Sequence, residues 1–134
     1  MNWSIKRLES PRMFKVTLSG TFDANSFRQM MDELAVEKGE YYFWPVMLSG
    51  PDLDLSQLDP GAVMRASEAF LEHNAEMVSS KVAIVTSPNS DLTTAKEFTN
   101  VTGPRTRAYL NFFRSEEEAL AWLLHENVEG RSFA

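Results

Sequence analysis

The sequence has no cysteine, only two histidines and no long apolar run. Without cysteine, the chain cannot form disulfides, thiolate nucleophiles or cysteine-ligated metal sites. No stretch approaches a run of about 18 apolar residues, the length of a membrane-spanning helix. Residues 1–6 also lack the apolar run of a signal peptide. We therefore expect a cytoplasmic protein with no integral membrane segment.

The chain also has few basic residues for its size. It carries 13 Lys and Arg against 19 Asp and Glu, for a net charge of −6. Phosphate binding needs clustered basic side chains, so this balance argues against a nucleic-acid partner. The nearest basic cluster is Arg105, Arg107 and Arg114, which flank a predicted strand. We interpret them as polar strand ends.

The length and composition are those of one ordinary globular domain. The chain has 134 residues, of which 43% are apolar and 24% are charged. We expect a single domain over residues 1–134, with residues 126–134 as a frayed tail. The 7 Met and 9 Phe are a mild excess. We interpret them as core filling, with a malleable apolar pocket as the alternative.

The first part of the sequence predicts an antiparallel hairpin at the edge of a sheet. Apolar and polar residues alternate over 14–19, which is typical of a strand with one wet face. The residues around Trp3 and Ile5 are its expected partner, with a turn at 9–12 where Pro11 presets a turn dihedral angle.

Later segments predict strands that are buried on both faces and alternate with helices. The strand segments are 43–48, 81–86 and 108–113. Such alternation is typical of a mainly parallel sheet covered by its helices. The expected fold is therefore α/β, with a mostly parallel five-stranded sheet, an N-terminal antiparallel hairpin strand and four helices in the order ββαβαβαβα.

Each helix has a capping signal at its predicted start. Asp23 precedes the first apolar stripe, and Asp59 followed by Pro60 begins the second helix. Ser90 or Asp91 is the expected cap of the third. Ser115 with Glu118 forms a capping box for the fourth.

Two stretches of the sequence are similar to a known family. Residues 18–24 read L-S-G-T-F-D-A, and residues 113–123 read F-R-S-E-E-E-A-L-A-W-L. Both stretches, with the element order, resemble the STAS domain of sulfate transporters and anti-sigma-factor antagonists. The Trp122-Leu123 ending is more typical of a single-domain, anti-sigma-antagonist-like (SpoIIAA-like) branch, which is grouped with CRAL-TRIO lipid-transfer folds. The resemblance implies a SpoIIAA-like fold.

The sequence departs from this family at one functional step. In the anti-sigma antagonists, a serine at the start of the second helix is phosphorylated by a partner kinase. The corresponding residues 58–62 read L-D-P-G-A and contain no hydroxyl group, and Ser56 lies three residues before Asp59. Our hypothesis is that the chain lacks this phosphorylation switch.

No motif indicates catalysis, a cofactor or a metal. The sequence contains no G-x-S-x-G, G-x-G-x-x-G or Walker pattern. We interpret His73 and His125, each near the end of a predicted helix, as complementing the helix dipole. Residues 52–56 resemble the start of a calcium loop, but Gln57 and Val63 stand where that loop needs Gly and Glu. We expect no enzyme, no cofactor and no metal.

The leading functional hypothesis is a non-catalytic module that binds and regulates a protein partner. In parallel sheets, binding sites lie beyond the carboxyl ends of the strands, where the loops at 50–59 and 87–91 are expected. The expected partner-binding residues are Asp52, Asp54, Ser56, Asp59, Pro60, Gly61, Ser87 and Asn89.

The alternative hypothesis is a carrier or sensor of a small apolar ligand or lipid, bound between the helices and the sheet. The expected pocket residues are Met30, Met31, Met47, Met64, Phe70 and Phe98. The aromatic run at 41–44 is expected to place two side chains inside and two on a rim, with a patch for a partner or lipid as the alternative. The exposed edge strand leaves a homodimer open.

Overall fold

The structure is a computed structural model that describes residues 1–87 and 93–125. Short 3-10 segments at Gly39–Tyr41 and Asn74–Met77 precede the third and fourth strands. The elements in chain order are β1 (Asn2–Glu9), β2 (Arg12–Ser19), α1 (Ala24–Lys38), β3 (Val46–Ser49), α2 (Pro60–Leu71), β4 (Lys81–Val85), α3 (Thr93–Thr102), β5 (Tyr109–Phe113) and α4 (Glu116–Leu124).

The five strands form one mixed sheet in the order β1-β2-β3-β4-β5. The hairpin strands β1 and β2 are antiparallel, with Trp3 opposite Leu18. The other neighbouring pairs are parallel, as at Phe14 opposite Val46. This arrangement confirms the predicted α/β class, the mostly parallel five-stranded sheet and the predicted element order.

The alternation of strand side chains divides the core between two faces. On one face, Phe14, Val16 and Leu18 of β2 pack in a cluster that includes Phe27 of α1 and Phe70 of α2. We call this the three-helix face, because Phe98 of α3 also packs against the cluster. On the other, the α4 face, a smaller cluster joins sheet residues to α4. Its members are Met13, Met47, Ala83, Val85, Ala119 and Leu123.

The structure corrects the start of the third strand. The sequence predicted a strand from residue 43, because aromatic residues favour strands. Instead, the Trp44 N–H donates to the Tyr41 carbonyl at 2.9 Å, which closes a turn, and β3 begins at Val46. Trp44 is buried and Tyr41 packs against the core, whereas Tyr42 and Phe43 are 45% and 56% exposed. The expectation of two aromatic side chains inside and two outside is confirmed.

Two other features also differ from the prediction. The sequence predicts that the second helix runs to about Asn74, but α2 ends at Leu71 and a 3-10 segment follows it. Strand β5 is not buried on both faces: it lies at the edge of the sheet, and Tyr109 is 60% exposed. The predicted caps Ser90 and Asp91 and the predicted tail at 126–134 lie outside the described residues.

Candidate functional site

The candidate site lies at the edge of the sheet where the parallel strands end. Strands β2, β3 and β4 end at Ser19, Ser49 and Val85. Since parallel strands place their carboxyl ends together, the connections that follow them meet there. The longest described connection is residues 50–59, which we call the leucine loop.

The leucine loop turns its apolar side chains inward and its polar ones outward. Leu53, Leu55 and Leu58 are partly buried and pack against the large core cluster. Asp52 and Asp54, which alternate with them, are exposed. The loop therefore covers the end of the sheet with hydrocarbon and presents carboxylates to solvent.

Backbone hydrogen bonds hold the leucine loop in place on both sides. The Gly50 N–H donates to the Val85 carbonyl at 2.9 Å. The Asp54 N–H donates to the Gly20 carbonyl and the Phe22 N–H to the Asp54 carbonyl, each at 2.8 Å. Gly20 has a φ of +84°, a conformation that glycine adopts without strain. The loop is thus joined to the connection between β2 and α1.

Two of the loop carboxylates have local structural roles. Asp54 accepts a hydrogen bond from the Ser56 N–H at 2.9 Å, and this bond lowers the pKa of the Asp54 carboxyl. Asp59 accepts from the Ala62 N–H at 2.8 Å and so caps α2, with Pro60 in the first turn as predicted.

A cavity of about 90 Å³ lies beneath the leucine loop, between the sheet and helices α1, α2 and α3. The sheet, the segment that follows β4 and Gly50 form its floor. Helices and loop leucines form its walls. The lining residues are Leu18, Phe22, Phe27, Leu48, Gly50, Leu53, Leu55, Leu58, Val63, Ala66, Ile84, Val85, Thr86, Thr94, Ala95 and Phe98.

The walls of this cavity are almost wholly hydrocarbon. No charged side chain is among the described lining residues, and the polar ones are Thr86 and Thr94. The Thr86 hydroxyl donates to the Phe113 carbonyl at 3.4 Å. A side chain at Gly50 would crowd the loop, because an added Cβ would stand 3.0 Å from the Leu53 Cβ. The site suits an apolar group.

The sequence matches no protein-family profile and no curated protein. A search of solved structures found an uncharacterised protein of the DUF3478 family with a SpoIIAA-like fold, from Shewanella loihica PV-4. It is 19% identical to this chain, with a TM-score of 0.55, and the match covers 91% of this chain and 92% of that one. The chain has a SpoIIAA-like fold.

Within this SpoIIAA-like fold, the six residues expected to form a pocket are dispersed. Phe98 lines the cavity. Met30, Met31 and Phe70 are fully buried in the large core cluster, away from the cavity lining. Met47 packs on the α4 face, and Met64 is 42% exposed on α2. Leucines of the strand ends and of the leucine loop are the most frequent lining residues, and no methionine is among the described lining residues.

The residues expected to bind a partner lie close together on the surface. Asp52, Asp54, Ser56, Asp59, Pro60 and Gly61 are all exposed along the leucine loop and the start of α2. Ser87 is half-buried just after β4. Asn89 lies outside the described residues. Their role in binding a partner stays a prediction.

The structure adds two side-chain contacts to the interpretation of His73. This residue follows the end of α2, but its ring contacts side chains as well as lying near a helix terminus. The Nε2 atom is 2.7 Å from an Asp32 carboxylate oxygen, and Nδ1 is 3.3 Å from Glu76. The sequence interpretation missed both carboxylates. Across residues 1–87 and 93–125, no three His, Asp or Glu residues form a group that could hold a metal ion.

Lys38 is a fully buried cation that sequence reasoning missed. Its Nζ donates to the Trp44 carbonyl at 2.9 Å and to the Ser80 hydroxyl at 3.1 Å. Burial lowers the pKa of Lys38 to about 8. Its position at the end of α1 resembles a dipole-complementing lysine, so only the tertiary structure reveals the burial. Lys38 anchors the aromatic segment and lies away from the cavity lining.

A polar contact on the α4 face was also missed. The Glu116 carboxylate accepts from Lys15 Nζ at 2.8 Å and from the Ser49 hydroxyl at 2.5 Å. The hydrogen bond from Lys15, followed by that from Ser49, lowers the pKa of Glu116. The three residues come from β2, β3 and α4, so no spacing in the sequence could reveal them.

In the described part of the chain, no helix has the length and hydropathy needed to cross a bilayer.

Proposed function

We propose that this chain is a non-catalytic binding module that holds a small apolar group in the cavity beneath the leucine loop. The supporting observation is a hydrocarbon-walled cavity at the carboxyl ends of parallel strands, where open α/β sheets bind ligands. The backbone hydrogen bonds that Gly50, Asp54 and Phe22 make hold the loop over the cavity.

The size of the cavity limits the ligand. An engineered apolar cavity of about 150 Å³ stays dry and binds benzene. The cavity here is about 90 Å³. It therefore accepts a group of a few carbon atoms, such as the end of an acyl chain, with the rest of the ligand outside.

The chemistry of the walls supports binding over catalysis. General acid–base catalysis needs a titratable group within hydrogen-bonding reach of the substrate. The described lining offers the hydroxyls of Thr86 and Thr94 and no titratable side chain. Lys15 and Glu116 contact each other on the opposite, α4 face.

The first test is to look for a bound molecule. The protein is purified from its native cell without detergent, and an organic extract is analysed by mass spectrometry. We expect an apolar molecule in stoichiometric amount. An extract with no such molecule, together with no binding in the titration below, contradicts the proposal.

The second test fills the cavity. Ala95 lines it and Ala121 is exposed on α4, so Ala95→Leu and Ala121→Leu are a matched pair. Xenon, which apolar cavities bind and which is smaller than benzene, is titrated by gas pressure while the methyl resonances of Leu48, Leu53 and Ile84 are followed by NMR. We expect saturable shifts in the wild type and in Ala121→Leu, and at least about tenfold weaker binding in Ala95→Leu. Equal binding by both variants would contradict the assigned cavity.

Protein interaction is a second candidate function, favoured by the exposed outer side of the leucine loop. Asp52, Asp54 and Ser56 face solvent on the same loop whose leucines cover the cavity. A photo-crosslinking residue at Ser56 should capture a discrete partner in native lysate, whereas one at the exposed Glu117 should not. The same pattern of products from both positions would argue against this function.

We also propose that the module lacks a phosphorylation switch at the start of α2. The residues there, Asp59, Pro60 and Gly61, offer no hydroxyl group. Phosphopeptide mapping of protein from its native cell should find no phosphate within residues 56–61. A phosphate on Ser56 would contradict this.

A further inference from the structure

Strand β1 has one free edge in the described part of the chain. It pairs with β2 over its full length, Asn2 to Glu9, and with no other described strand. An unpaired edge of this length presents a row of backbone donors and acceptors that a further strand can bind. Its side chains determine which strand fits.

The register shows which backbone groups of β1 point outward. The Phe14 N–H donates to the Pro45 carbonyl, so Phe14 directs its backbone groups toward β3. Its partner on β1, Arg7, is therefore in a non-hydrogen-bonded pair. Since such pairs alternate, Trp3 and Ile5 are in the same class, and the backbone groups of all three residues point away from β2.

We propose that β1 pairs with β1 of a second copy of this chain, antiparallel and centred on Ile5. In this register Ile5 faces the second Ile5, and Trp3 faces Arg7 of the other copy. These are the residues whose backbone groups point outward, so both pairs exchange two hydrogen bonds. The two sheets then form one continuous sheet with a twofold axis perpendicular to it.

The side chains suit this register. Trp3 and Ile5 lie on the three-helix face and are only partly buried by their own chain, so pairing buries them further. The Trp3 Nε1 donates to a Glu33 carboxylate oxygen at 3.2 Å. Because Arg7 of the second copy faces Trp3, its guanidinium comes within reach of that carboxylate.

The remaining charges do not oppose the pairing. Lys6 falls opposite Ser4 of the second copy, so no two like charges are directly opposite within the strand. In one copy, Arg7 lies 3.3 Å from Glu9 and 4.9 Å from the Tyr41 ring centroid. Its five N–H donors leave capacity for Glu33 of the second copy. A second copy is therefore a better match for this edge than an arbitrary strand.

Charge exchange between Arg7 and Glu33 tests the proposal. Both residues are exposed, so Arg7→Glu and Glu33→Arg should leave the fold intact, which circular dichroism checks. Sedimentation equilibrium should give the wild type twice the 15.2 kDa mass of one chain. We expect each single variant to dimerise at least about tenfold more weakly, and the double variant to regain most of the loss. Arg65→Glu, on exposed α2 surface, should dimerise like the wild type.

Amide exchange gives an independent readout of the register. The amides of Ile5 and Arg7 point outward and should exchange more slowly at high protein concentration. The Lys6 amide points toward β2 and should be protected at every concentration. A monomeric wild type, a dimer that both single variants leave unchanged, or Ile5 and Arg7 amides that exchange equally at all concentrations would overturn the proposal.

Discussion

The two faces of the sheet are covered by different numbers of helices. Three helices cover one face with a large cluster that contains fully buried Phe14 and Phe70. On the other face α4 packs over β3, β4 and β5 with a small cluster, and polar side chains occupy the rest of β2. The larger face has the cavity, and the smaller face has the ion pair between Lys15 and Glu116.

This difference explains why the cavity lies on the three-helix face. A single amphipathic helix can adjust its position on a sheet until the side chains between them pack without a void. Three helices joined to strand ends are constrained by one another, and the leucine loop must close the remaining gap between them. The cavity therefore occurs where most elements meet, at the carboxyl edge of the three-helix face.

The largest expected effect compares core truncations on the two faces. Phe70 is fully buried and contacts the Phe98 ring edge-on at 6.1 Å between centroids. Phe70→Ala should lower the free energy of unfolding by about 3–5 kcal/mol, because constrained helices cannot close the void. Leu123→Ala, beneath the single helix α4, should lower it by about 2–3 kcal/mol. Urea unfolding measures both, and a greater loss for Leu123→Ala would contradict the comparison.

The fold could be predicted from the sequence because its signals are local. The alternation over 14–19 and the caps Asp23, Asp59 and Ser115 each act within a few residues, and the structure places a strand or a helix start at each. The aromatic run was misassigned because strand propensity at Phe43 competes with a turn that the tertiary contacts of Trp44 stabilise.

The candidate site was only partly predictable. The loop at 50–59 and its place beyond the strand ends could be predicted, because both follow from the parallel sheet. The cavity lining was not found, since volume left between three helices depends on their relative positions. The burial of Lys38 and the contact of Ser49 with Glu116 likewise depend on elements far apart in the chain.

The next expected effect is a pH dependence of stability that comes from Lys38, a buried basic side chain that lies beside Phe14 of the three-helix face. Its pKa is about 8 in the folded protein, against 10.5 as the ordinary value. Between these pH values the unfolded chain still binds the proton and the folded chain does not, so stability rises with pH. Between pH 8 and 10.5, we expect the free energy of unfolding of the wild type to rise by roughly 1 kcal/mol per pH unit relative to that of Lys38→Met.

The Lys38→Met variant is a fair reference for this measurement. Methionine fills a similar volume, and the Ser80 hydroxyl, which donates to the Tyr42 carbonyl, also lies 3.2 Å from the Trp44 carbonyl. Unfolding by urea at several pH values from 7 to 10 gives the difference directly, since all other titrating groups are shared. A difference that stays constant across this range would show that Lys38 remains protonated in the folded state.

The smallest expected effect belongs to Glu116 on the α4 face, and its pH dependence has the opposite sign. Contacts with Lys15 and Ser49 lower the pKa of Glu116 below its ordinary value of 4.5. The charged Glu116 therefore contributes fully to the free energy of unfolding above pH 4.5, and this contribution is lost as the pH falls through the pKa of Glu116 in the folded protein. The carboxylate is 43% exposed, so solvent reduces the contribution to about 0.5 kcal/mol at pH 7. At pH 7, Glu116→Gln should have a free energy of unfolding lower by this amount than that of Glu117→Gln, which removes a charge from the same helix turn at an exposed position.

Urea unfolding of both variants at pH 7 and pH 3 tests this origin of the effect. The difference in free energy of unfolding should shrink at pH 3, because protonated Glu116 resembles glutamine. A difference of equal size at both pH values would mean that the charge on Glu116 is not its source.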